Sequence, residues 1–220
     1  MNKLIAGGAA GAVLAGVLGV GSASQASQAS AAGPVAQAGS AVEAGLASRP
    51  GTGFRGARVT GTGEVVLTFA PDRDVRRFSF DVRAKPYSRP LPGAEHGLPS
   101  DATGTVRVSH WVAAQNKTVT FEATADCLVT APGAATVTAI VTRADKEVAD
   151  WVGQRVGLSV QDGGRGHGDR IGVSWVISGD QDDSGKWGPA RIGTCLAPTA
   201  FAPVTKGDLT VRHADLKPYE

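Results

Sequence analysis

The stretch VGLSVQDGGRGHGDRIGVSWVI, Val156 to Ile177, decides how this chain folds. Val156, Leu158 and Val160 share one parity in its first half, and Ile171, Val173, Trp175 and Ile177 share one in its second. Each half therefore reads as a strand with one buried face. Asp162 to Asp169 between them is rich in glycine, which reverses a chain at little steric cost. The stretch predicts a β-hairpin.

The same alternation recurs on both sides. In Val75 to Ala84, Phe78, Phe80, Val82 and Ala84 alternate with Arg77, Ser79, Asp81 and Arg83. Thr105 to Val112 and Thr118 to Val129 read as a second hairpin turning at Gln115-Asn116-Lys117, with Val119, Phe121, Ala123, Ala125 and Cys127 on one face. Glu64 to Phe69, with a start as early as about Ala57, is the expected first strand, closed by Pro71-Asp72, and Ala135 to Thr142 is a β-branched one. Leu209, Val211 and His213 mark the last, after an irregular Ile192 to Val204. Only Ala144 to Val152 has helical character, and it is too short to stand alone. About eight strands joined by short turns predict an all-β fold, a single antiparallel β-sandwich or barrel. Thirty glycines and twelve prolines in 220 residues agree with that reading.

The chain begins with a basic Met1 to Lys3 and a small-residue apolar run, Leu4 to Val20. The run is shorter than the roughly 20 apolar residues a bilayer core requires, so residues 1–31 read as a secretory signal, cleaved after Ala23 or Ala31, and not as a membrane span. Residues 32–58 are poor in large apolar side chains and read as a flexible, disordered spacer, leaving 59–220 as the β domain. The expected location is secreted and extracellular, with no membrane span in the mature chain. Gly51-Thr52-Gly53-Phe54-Arg55-Gly56 carries dinucleotide-type glycine spacing, but it opens onto Val59-Thr60-Gly61 and no helix follows, so that reading is rejected.

Net charge is +2, and Arg76, Arg77 and Arg83 are interleaved with Asp72, Asp74 and Asp81. That is a solvated face without a basic stripe, so nucleic acid is not an expected partner. Two cysteines in an exported chain predict one disulfide, Cys127 to Cys195.

Several residues are candidates for a site. Asp162 and Asp169, in a glycine-rich turn resembling part of a calcium-binding nonapeptide repeat, would make a calcium site if Asp180, Asp182 and Asp183 folded alongside to add hard oxygen ligands. The plainer and favoured reading is a turn whose aspartates accept turn amides. His110 and His213 fall in phase with apolar neighbours and read as buried, hydrogen-bonded imidazoles, or as half of a metal site should their strands be adjacent. No HExxH or GxSxG motif is present. Trp151, Trp187 and Tyr87 lie in irregular sequence, where rings serve as ligand platforms or as lids over a core. The long loop Lys85 to Ala102 holds Tyr87, Arg89, Glu95 and His96.

At FSFDVRA, ATGTVRVSHWV, TVTFEATADCLV and VGLSVQDGG…GDRIGVSW the chain resembles small secreted β-rich proteins of filamentous actinobacteria, sometimes labelled repetin. The resemblance spans about Asp74 to Trp175. It implies export and β architecture and carries over no catalytic residue. The expected function is therefore an extracellular binding or interaction module with an unknown extracellular ligand or protein partner. The alternative is a small secreted hydrolase or metal-dependent enzyme built on His110, His213 and nearby carboxylates.

Overall fold

Alternation of apolar and polar side chains becomes, in the computed structural model, a closed antiparallel barrel. The structure describes residues 56–70, 72–164, 168–174, 179–190 and 192–220. The signal and most of the spacer, Trp175 and the tip residues Arg165 to His167 lie outside the described residues. The strands are β1 (Arg58–Val65), β2 (Val75–Ala84), β3 (Ala102–Val112), β4 (Lys117–Ala131), β5 (Ala134–Ala144), β6 (Arg155–Gln161), β7 (Arg170–Val173), β8 (Gly179–Gln181), β9 (Trp187–Pro189) and β10 (Ala202–Arg212). Around the barrel the order is β1-β10-β7-β6-β5-β4-β3-β2, while β8 and β9 form a separate two-stranded sheet. Of the two architectures expected, the chain adopts the barrel.

The inward parity of each strand fills the interior. Phe78, Phe80 and Val82 of β2 face inward with Val106 and Val108 of β3, Val137 and Val141 of β5, and Leu158 and Val160 of β6. Gly61 and Gly63 of β1 stand opposite Phe80 and Phe78, so the smallest residues lie beside the bulkiest. Gly61 also has φ +118°, and a Cβ there would run into the Asp208 carbonyl, so β1 bends where only glycine permits it. An eight-stranded barrel of this kind is packed by its own side chains. Its outer face carries Arg77, Arg107, Glu122 and Arg143 in ion pairs, the inverse of an outer-membrane barrel's apolar exterior. Among the described residues no helix is long and apolar enough to cross a membrane.

Two boundaries and one register differ from expectation. The first strand, Arg58–Val65, takes the early start near Ala57 but ends at Val65 and not at Phe69, because Val59 and Val65 supply its buried parity; Leu67 beyond it is buried outside any strand. The last strand runs from Ala202, and most of its side chains are exposed, so it pairs through backbone to β1 and shows little apolar periodicity. In β4 a bulge between Ala125 and Cys127 reverses the parity. Cys127 pairs with Thr138, while Leu128 joins Val137 in the core, so Cys127 leaves the face it was expected to share with Ala123 and Ala125.

Within Val156 to Ile177, β6 and β7 do pair antiparallel as a hairpin, with Val160 opposite Ile171 and Gln161 opposite Arg170. β7 is short and pairs with β10 at Ala202 and Pro203, Pro203 has no N–H to give, and past it the Val204 amide donates to the Asp169 carbonyl at 2.9 Å. Side chains complete this seam. Asp169 accepts the Gly163 and Leu209 amides at 3.0 and 2.7 Å, and Asp162 accepts the Gly164 and Val211 amides, both at 2.9 Å. Two carboxylates at the hairpin tip thus continue a ladder that β7 is too short to provide.

Candidate ligand-binding groove

Outside the barrel, residues 192–201 cross the outer face of β5, β6 and β7 as a strap. Two glycines make the face smooth enough: a Cβ at Gly157 would collide with Ile192 and the Leu196 carbonyl, and one at Gly172 with Ser159 and the Thr199 carbonyl. The strap is pinned by the Cys127–Cys195 disulfide, with Cα atoms 5.3 Å apart, and by the Ser159 hydroxyl donating to the Pro198 carbonyl at 2.6 Å. The Cys195 amide donates to Thr138 Oγ1, whose own proton goes to Asp126 at 2.5 Å.

Asp126 is the bulge residue of β4, and its side chain is fully buried. Arg155, at the start of β6, donates to it through Nε at 2.8 Å and Nη2 at 2.7 Å, and Arg89 from the long loop approaches at 3.4 Å. The buried charge is therefore paired and hydrogen-bonded, as burial of a carboxylate demands. That loop is itself folded around Asp101, which accepts the Ser88, Arg89 and Leu98 amides.

The strap, the β8–β9 hairpin and the 3₁₀ segment Lys146–Trp151 enclose a groove of about 570 Å³ against the outer side of β5 and β6. Its floor and walls include Ile140, Gln154, Arg155, Pro189, Ala190 and Ile192, and its mouth carries Asp150, Asp180, Gln181, Lys186 and Trp187. Trp187 is 67% exposed, the most open tryptophan among the described residues. Asp182 caps the hairpin turn. Its Oδ1 accepts from the Ser184 hydroxyl and from the Ser184 and Lys186 amides, and the Ser184 hydrogen bond before the others holds its carboxyl below the usual carboxylate value. Lys186 Nζ lies 4.0 Å from Asp150 Oδ2, linking the hairpin to the 3₁₀ segment.

The expected site residues separate into distinct places. Trp187 is in the groove, while Trp151 is a half-buried lid on the core, its ring 5.6 Å from that of Phe121. Tyr87 is not an open platform either; its hydroxyl donates to the Lys217 carbonyl at 2.8 Å and its ring packs edge-on against Tyr219. The five aspartates do not assemble. Asp162 and Asp169 are committed to backbone amides, whereas Asp180 and Asp182 line a groove whose Arg155 lies a full length of β6 from Asp162, on the order of 20 Å at strand rise. Among the described residues no three His, Cys, Asp or Glu side chains gather as a metal would require.

The histidines are also apart. His110 stands opposite Val119 at one end of β4, and His213 meets Thr130 near the other, on the order of 30 Å away. Neither is a buried imidazole: His213 is exposed, and His110 is half-buried, its Nε2 2.6 Å from Asp74. Asp74 also accepts the Ala113 amide and lies beside Arg76, which is bound to Asp72 at 2.8 Å. Within this cluster Asp74 and Arg76 are buried.

Gln154, Arg155, Gln181 and Lys186 carried no pattern that sequence reading isolates, because the groove joins segments distant in the chain. Asp126 did leave a signal, a charged residue interrupting an apolar strand beside a cysteine. Compared with known proteins, the chain matches no family model, no curated protein and no solved structure.

Proposed function

We propose that this is an exported binding module that holds a polar ligand in the groove beside Trp187. The observation that carries the reading is the open indole of Trp187 at the lip of a groove of about 570 Å³. That volume falls within the range of small-molecule sites, which combine apolar surface with a few placed polar groups. Exposing an indole forgoes roughly 1.5–3 kcal/mol of burial for a large side chain, so contact with a ligand accounts for its position. Export is supported by the apolar run Leu4 to Val20 behind Lys3 and by the disulfide, which an oxidising compartment preserves.

Thermal-shift measurements on the purified chain and its Trp187→Ala variant, across panels of oligosaccharides, short peptides and fatty acids, test the reading. At least one class is expected to raise the melting temperature of the parent and not of the variant. Binding that is equal in both proteins, or none from any class, overturns it.

A further inference from the structure

We infer that the barrel carries a second, separate site: a groove on the outer face of β1 to β5 that takes a tetrahedral oxyanion, the phosphate or sulfate group of an ester. The groove measures about 620 Å³. It lies away from Trp187, because β2, which contributes Arg77 and Ser79 to it, stands four strands from β6 whichever way the ring of eight is followed.

Strand register builds the site. Arg77 of β2 stands opposite Ser109 of β3, and Ser79 stands opposite Arg107, so guanidinium and hydroxyl donors alternate both along and across the strands. Thr62 extends the Ser79–Arg107 row on one side, and Glu122 and then Arg143 extend it on the other. Thr120 follows Ser109 in the neighbouring row. Adjacent strands are about 4.8 Å apart, which places these donors within side-chain reach of one ligand group.

The carboxylates nearby are already engaged. Glu122 accepts Arg107 Nε at 2.7 Å and faces Arg143 Nη2 at 3.6 Å. Glu64, behind the lining, accepts Arg77 Nε and Nη2 and is shared with Lys206 at 3.9 Å. Asp145 accepts the amide and the hydroxyl of Thr120 at 2.8 and 3.0 Å. A guanidinium has five N–H donors, so each arginine keeps most of its own unspent. Exposure then sorts the signs. The side chains of Arg77, Arg107 and Arg143 are 53, 67 and 82% exposed, whereas those of Glu64 and Glu122 are 18 and 25% exposed, so the cation is the outer member of each pair. Three arginines against Glu122 and Asp145 leave the lining at +1, with Lys206 and Glu64 cancelling beside it and Asp208, opposite Thr62 on β10, outside it.

A surplus of donors with positive charge outermost selects an anionic ligand made of acceptors. A neutral sugar brings a donor with each hydroxyl and leaves the surplus in place. A carboxylate offers two oxygens in one plane, while an esterified phosphate or sulfate offers three spread in space, matching donors that come from β2, β3 and β5.

Titration calorimetry of the full chain with glucose phosphate and glucose sulfate, against glucose and glucuronate, tests this, and dextran sulfate beside dextran separates a polymeric source from a small one. An ester is expected to bind and to weaken at least about threefold in about 0.5 M salt, because the ion pairs it forms are exposed. Arg107→Ala should weaken it about tenfold with unchanged circular dichroism, and Arg107→Lys by less, since the charge stays and the planar fork is lost. Glu122→Gln should strengthen it about threefold, a gain that a merely structural role does not produce. Dextran sulfate binding that falls with Arg107→Ala supports the site with a polymer as its source. Glucose or glucuronate binding as tightly as the esters overturns the inference, as does binding that survives Arg77→Ala with Arg107→Ala, or no binding by any anionic probe at about 10 mM.

Discussion

Asp169 accepts the backbone amide of Leu209 at 2.7 Å, forty residues further along the chain. The contact sits where β7 stops pairing with β10, so a side chain takes the place of a missing ladder bond and closes the barrel. Asp169→Ala leaves the buried Leu209 amide and the Gly163 amide without their acceptor, and an orphaned buried donor costs about 1–3 kcal/mol. We expect the urea midpoint to fall accordingly and the Leu209 amide to exchange faster with deuterium. Asp169→Asn, which keeps an acceptor oxygen, should lose less.

The same geometry bears on calcium. Each oxygen of Asp162 and Asp169 already accepts a backbone amide. A cation there would compete with bonds that hold the barrel shut. Melting curves in millimolar calcium and in chelator are expected to superimpose; a rise of several degrees in calcium would contradict this account.

Asp126 links the strap to the barrel through Thr138 and to β6 through Arg155. Removing one partner of a buried pair strands the other, at about 3–5 kcal/mol when both are fully buried. Because Arg155 and Arg89 each keep a third or so of their side chains in solvent, Asp126→Ala should fall near about 3 kcal/mol by denaturant titration.

The disulfide spans 68 residues, and closing such a loop contributes about 4 kcal/mol in the chain-entropy account. Cys127→Ala with Cys195→Ala should lower stability by about that amount, since the bridge lies outside the barrel core and its chief effect is on the unfolded chain. Hydrogen exchange should then show the strap opening before the strands, and ligand binding at the groove should weaken because Ala190 and Ile192 belong to its wall.

The Arg76 guanidinium bound to Asp72 holds that carboxyl below its usual value of 3.8. A depressed folded-state pKa contributes stability that is fully present above the unfolded value and is lost as pH falls through the folded one. Urea midpoints taken from neutral pH downward should therefore drop below about pH 4, and Asp72→Asn should flatten that drop while starting lower at neutral pH.

Much of the architecture was legible because strand alternation is a local property. Val75–Ala84 could be read residue by residue, since Phe78, Phe80 and Val82 face a core while Arg77 and Asp81 face solvent. β10 was legible only at its end, because a strand held by backbone pairing and by Asp162 and Asp169 has little need of apolar periodicity. The groove was hardly legible: Trp187 stood out as a ring in irregular sequence, yet Trp151 and Tyr87 looked the same and turned inward.

The order of residues by itself determined the all-β class, the hairpin of β6 and β7 and the pairing of the two cysteines, because each follows from near neighbours or from there being a single way to pair them. Tertiary structure alone decided that the sheet closes into a barrel, that a bulge at Asp126 turns Cys127 away from the core, and that Asp169 and Asp162 reach the distant amides of Leu209 and Val211. Those outcomes depend on which distant backbone groups come within 3 Å of a side chain, and spacing along the chain carries no record of that distance.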